Sequence, residues 1–174
     1  MKVYIIPICI LILSAPACCV SNIFTKNKNK IENYQFRKPV GYVNDFANIL
    51  DPNEEKDLER LIINHQKKTS NQIAMVLIEC IKPYSDIESY TLDLANQWGV
   101  GEKGKNNGIV IVLSTKLRKV RIQNGYGIAK IMTDEKTLEI VRDDMIPEFK
   151  KKKYYDGLKS GLVSVTNYLE TKVN

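Results

Sequence analysis

Two short apolar runs constrain this chain more than any other feature. Residues 73–80 (IAMVLIEC) and 109–113 (IVIVL) are rich in β-branched side chains, too short for helices of their own, and lack an alternating polar face. Runs of this kind are strands buried on both sides, so helices must cover the sheet above and below. The flanking segments supply them. Asp51, Pro52 and Glu54 form a cap, a first-turn proline and an acid three residues on, which predicts a helix to about Lys68, with Asn71 as the turn residue after it. Ser85 and Glu88 read as a capping box for a second helix whose inner face holds Tyr90, Leu94, Ala95 and Trp98. Thr133 or Asp134 caps a third, expected to run to about Met145 and to be interrupted by Pro147. Residues 154–171 form a fourth, with Leu158, Leu162, Val165 and Leu169 inward. Residues 119–123 (KVRIQ) alternate as a strand with one wet face. The expected fold is α/β, a three-layer α/β/α sandwich with a small central mixed sheet in a single domain.

The basic charge does not belong to that domain. The whole chain carries a net +6, but Lys2 and the Asn- and Lys-rich stretch 21–41 hold most of it, and residues 42–174 have 20 basic against 19 acidic side chains. Binding by counterion release needs a basic face on the folded body, so a nucleic-acid partner is not expected. Lys2, an uncharged stretch from Val3 to Leu13 and Ala15-Pro16-Ala17 have the three parts of a secretory signal peptide. A cut after Ala17 would leave Cys18 first, as in a bacterial lipoprotein. The organisation is therefore a leader over 1–17, a solvated tether over 18–41 and a domain over 42–171. Cys18 is the expected lipid acceptor, and the membrane the expected anchor. An uncleaved anchor over residues 3–20 is the alternative, with Pro7 and Pro16 against it.

Export shapes the reading of the remaining reactive groups. Cys80 ends an apolar run and is expected to be buried as a small hydrophobe. His65, the only histidine, lies on the helical stripe with Leu58, Leu61 and Ile62, so nucleophilic mechanisms that need an imidazole base have one candidate and no partner for it. Gly99-x-Gly101-x-x-Gly104 followed by Lys105 matches two phosphate-loop patterns, but the order is helix, loop, strand. The helix end facing the loop is then the negative one, and no nucleotide is expected. Two basic patches, one holding Lys116, Arg118, Lys119 and Arg121 and the other spanning residues 150–153, read as solvated surfaces that could equally meet a phosphate or a lipid headgroup.

A hard-cation site is the better chemical hypothesis. Asp45, Asn106, Asn107 and Asp134 are oxygen donors at element junctions, with Asp86 a fifth, and calcium takes 6–8 oxygens including backbone carbonyls. Zinc is disfavoured because the set lacks His and Cys. Each residue also has a structural use. Asp134 can cap a helix, Asn106-Asn107-Gly108 can turn the chain, and Asp45 can bind local backbone N–H groups.

The junction residues, in order, resemble the TPM domain, a family of exported, membrane-associated domains in bacteria and chloroplasts. Val43-x-Asp45-x-Ala47-x-x-Leu50 is similar to its opening motif. Trp98-Gly99-x-Gly101 with Asn107-Gly108 resembles the central one, and Val120-x-Ile122-x-x-Gly125-x-Gly127 the next. Asp134, Ile146-Pro147-x-Phe149-Lys150 and Tyr154-x-x-Gly157-Leu158 resemble its carboxyl end. The resemblance implies the same sandwich and a divalent-metal site, calcium in particular, near Asp45, Asn107 and Asp134. It also implies acid phosphatase activity in some members, and photosystem II repair or envelope accessory roles in others. Asn106 departs from the pattern, since members often carry an acid there, and its loss should weaken a cation site. The expectation is an exported, lipid-anchored accessory or binding module with a weak calcium site and an unidentified envelope protein as partner. A metal-assisted phosphomonoesterase is the rival.

Overall fold

The computed structural model describes Ile31 and residues 34–173, and Gln35–Asn174 is one compact unit. The leader, Cys18 and the tether up to Lys30 lie outside the described residues. Four strands, β1 (Val43–Asp45), β2 (Gln72–Ile78), β3 (Gly108–Ser114) and β4 (Lys119–Asn124), form one sheet in that order. The first three run parallel and β4 returns antiparallel. Helix α1 (Pro52–Thr69) links β1 to β2, and α2 (Ile87–Trp98) links β2 to β3. After β4 come α3 (Tyr126–Ala129), α4 (Asp134–Ile140), a π-helical turn (Val141–Met145), α5 (Ile146–Lys150) and α6 (Tyr154–Val173).

The register puts Val43, Met75, Ile111 and Ile122 in one row across the sheet, and the odd-numbered residues of β2 and β3 share that face. It packs against Leu58 and Ile62 of α1 and against Leu158, Leu162, Val165 and Leu169 of α6, all fully buried. Each such side chain contributes about 1.5–3 kcal/mol of transfer free energy. Val110 and Val112 point the other way and are equally buried, under α2, which packs on β3 and β4. Both faces are therefore covered, and the expected three-layer sandwich with a small mixed sheet forms. Asp57 ties α1 to α6: hydrogen bonds from Lys159 and Tyr155 hold its carboxyl down at about 2.

Several local expectations give way. The strand Val43–Asp45, at three residues, is too short to show a period. Ser70, not Asn71, takes the left-handed turn conformation after α1, with φ 63°. Asp86, not a Ser85–Glu88 box, caps α2 by accepting the Ser89 N–H at 2.7 Å. Thr133 caps α4. Pro147 does not interrupt the chain's helical path: the Ile146 N–H bonds back five residues to the Val141 carbonyl, and this wider turn relieves the crowding that a proline ring imposes on the preceding turn. Cys80 is exposed, because β2 ends two residues before it. The last part of the presumed tether is ordered against the domain. The Phe36 N–H donates to Gln97 Oε1 at 2.9 Å, the Phe36 ring meets Tyr84 and Tyr90, and Trp98 Nε1 donates to the Arg37 carbonyl. Among the described residues no helix is long and apolar enough to cross a membrane.

His65 sits inside this frame with 1% exposure. Its Nδ1 lies 3.1 Å from Glu170 Oε1, and Thr69 and Asn71 approach Nε2. Burial outweighs the Glu170 carboxylate and lowers the imidazole's pKa below 6.5. The unfolded chain then takes up a proton that the folded chain resists. Stability is complete above pH 6.5 and declines as pH falls below it. Denaturant midpoints at pH 7.5 and 5 should differ in the native protein, and His65→Gln should remove part of that difference; an unchanged difference would show that His65 does not contribute.

Candidate functional site

The glycine and asparagine motifs meet at one place, the N-terminal end of β3. Asn107 is 7% exposed and its side chain is used at both ends: Oδ1 accepts the Glu102 N–H at 2.8 Å, and Nδ2 donates to the Ser70 carbonyl at 2.8 Å. Its backbone carbonyl accepts the Gln72 N–H, and Gln72 Oε1 in turn accepts the Gly101 N–H. Gly101 has φ 104°, and a Cβ there would sit 2.6 Å from the Gly108 nitrogen. Two loops are thus locked backbone to backbone. The Gly125 and Gly127 N–H groups extend the lock to the Gly108 and Asn106 carbonyls. On this mount stands Tyr126, 83% exposed. Tyr126 is the unspecified position between Gly125 and Gly127 in the sequence motif, and spacing alone gives no sign of its exposure.

The cation donors do not converge. Asp45 pairs with Leu77 and Gly108 with Gln72, five residues apart along β2, so Asp45 and Gly108 are separated by roughly 16 Å of strand, and Asn107 lies one residue beyond. Asn106 lies beside Asn107, exposed, with φ 51°. Asp134 is exposed in the first turn of α4. Asn124 Nδ2, bonded to Thr137 Oγ1 at 2.8 Å, brings α4 to this same end. Asp45 lies at the opposite rim, and so does Asp86, whose carboxyl feels Lys119 at the start of β4. Asp45 is also committed locally: Oδ1 accepts the Ala47 N–H at 3.0 Å, and Oδ2 accepts those of Ile49 and Leu50 at 2.7 and 2.8 Å. Its charge, after burial, helps to raise the pKa of Glu55 at the start of α1. Among the described residues no cluster of three or more His, Cys, Asp or Glu side chains is arranged to hold a metal. Asp45, Asn106, Asn107 and Asp134 therefore do not fit one shared calcium ion, because strand direction sends them to two ends of the sheet.

A mixed sheet between helical layers, with glycine-locked loops at one rim and an aspartate-stapled loop at the other, defines an α/β/α sandwich. The chain belongs to the TPM domain family, whose model matches residues 43–168. Among solved structures, it is similar to the N-terminal domain of a protein from P. gingivalis, at 32% identity and TM-score 0.70, covering 75% of this chain and 83% of that one. It also resembles the BA42 protein of the psychrophilic bacterium Bizionia argentinensis, at 21% identity and TM-score 0.64, covering 72% and 85%. The N-terminal domain of the cg2496 protein of Corynebacterium glutamicum is similar at 14% identity and TM-score 0.58, covering 82% and 89%. The last two likenesses show the fold alone. No curated protein matches the chain.

Proposed function

We propose that this chain is an exported TPM module that works in the cell envelope by binding, as an accessory to another envelope protein, and is held at the membrane through a lipid on Cys18. The observation that carries the reading is the commitment of Asp45: both carboxylate oxygens already accept backbone N–H groups of its own loop. Metal-assisted phosphoester hydrolysis on the residues singled out above would need Asp45 and Asn107 on one cation, and the register holds them apart. Tyr126 supplies what a binding module needs instead. A rigidly mounted, exposed aromatic can bury a large area against a partner at little entropic cost.

One preparation tests both halves. Cells given labelled palmitate should label the native chain and not Cys18→Ser. The purified protein should not hydrolyse p-nitrophenyl phosphate above the protein-free rate, with calcium or magnesium present. Turnover that chelator abolishes would establish the phosphomonoesterase instead, and label on Cys18→Ser would overturn the anchor.

A further inference from the structure

The two basic patches, unrelated in sequence, meet at one cleft beside the C-terminal end of β3. It encloses about 550 Å³, within the range of small-molecule sites. Its floor is apolar, formed by Leu113, Val120, Val141, Ile146 and Phe149. Its rim carries Arg118 from the β3–β4 turn, Lys119 at the start of β4, Lys150 at the end of α5 and Lys152 two residues on, against Glu88 in the lining and Asp86, whose carboxyl feels Lys119, beside it. Among the described residues none of these four cations takes part in an ion pair. Their neighbours do: Lys116 pairs with Glu79, Lys151 with Glu148 and Lys153 with Asp156.

The backbone adds an independent observation. Among the described residues, left-handed φ values occur outside glycine at Asn48, Ser70, Asn106, Arg118 and Lys152. The first three are small and polar, types whose side chains can hydrogen-bond locally in this conformation. Arg118, at φ 52°, and Lys152, at φ 61°, are not of that kind, and a turn that only reversed the chain would favour glycine or asparagine. Both exceptions are cations on the same cleft. Strain kept at two such positions points to a use for the charges there.

We propose that this cleft binds a single-chain amphiphile with an anionic headgroup, the headgroup among Arg118, Lys119, Lys150 and Lys152 and the acyl tail along the floor. Unpaired cations at the mouth supply charge complementarity for a carboxylate or phosphate monoester. The polar groups deeper in are already used, since Ser114 Oγ donates to the Glu79 carbonyl and Thr115 Oγ1 to that of Ile78. A peptide would bury amides there without partners, at a cost an acyl tail does not incur. The inference goes beyond the accessory reading and stands without it.

Titration of the full chain with laurate or dodecyl phosphate, below their micellar concentrations, tests it. Backbone amides of Leu113, Val120, Val141 and Phe149 should shift with saturation. Glycerol monolaurate, which keeps the tail without the charge, and inorganic phosphate, which keeps the charge without the tail, should each bind at least about tenfold more weakly. Arg118→Asn combined with Lys152→Asn removes two charges while suiting the left-handed backbone. That variant should lose at least about tenfold in laurate affinity with an unchanged or higher melting temperature. Equal binding of the neutral lipid, equal binding of free phosphate, an undiminished affinity in the double variant, or a glutamate-rich peptide shifting these amides where laurate does not would each overturn the proposal.

Discussion

Gly108→Ala is expected to remove about 3 kcal/mol of stability, because the added methyl group has only backbone to displace. It would run into the carbonyl of Val100, with the Gly101 nitrogen 3.0 Å away, and neither can swing aside as a flexible side chain could. The Val100–Gly101 segment is itself fixed, through the Gly101 N–H to Gln72 and the Glu102 N–H to Asn107. The two loops would have to separate, taking with them the side-chain bond from Asn107 to Ser70. For a chain of this size, 3 kcal/mol corresponds to a fall of roughly 6–12 °C in melting temperature. Gly99→Ala provides the contrast. A Cβ there meets nothing within 4 Å, so only the left-handed backbone at φ 64° is penalised, about 1 kcal/mol. Equal melting temperatures for the two variants would show that the loops are not locked as described.

Asp45→Ala should lower stability by about 2–3 kcal/mol whether or not calcium is present. Three backbone N–H groups lose a charged acceptor, and the loop from Phe46 to Leu50 that feeds α1 loses its staple. Hydrogen bonds to a charged group contribute about 1.5–3 kcal/mol each, but three on one carboxylate are not additive, and the freed groups recover part through water. Asp45→Asn keeps one acceptor oxygen and should lose about half as much. Thermal melts of the native protein and both variants, with chelator and with millimolar calcium, separate the two uses of this residue. If Asp45 instead ligates a cation, the native protein melts higher with calcium and the alanine variant loses that increment. A staple predicts the same difference between variants in either buffer.

Much of the fold could be read from residue order because its determinants are local. The β-branched runs of β2 and β3 lie within one residue of expectation at their starts, and the inward residues of α6 are the four anticipated. The capping box of α1 forms from Asp51 and Glu54 as expected. Two of the misses turn on features that residue patterning does not carry. Phe36 lies in a stretch with no period, yet it is held by Tyr84 and Tyr90. Pro147 ends helices in general, but here a wider turn upstream absorbs it.

Membership in the TPM family was also visible in the junction motifs, and the glycines among them come together as a lock between loops. The proposed cation site did not assemble, for a reason no composition or spacing carries. Asp45 closes a strand and Asn107 precedes one, and parallel strands put ends and beginnings on opposite rims. Patterning along the chain is enough to choose strands, helices and the two-sided burial that makes a sandwich, because these depend on neighbours in sequence. Which donors, cations and aromatics share a rim depends on strand direction and register, and these were set only when the sheet was built.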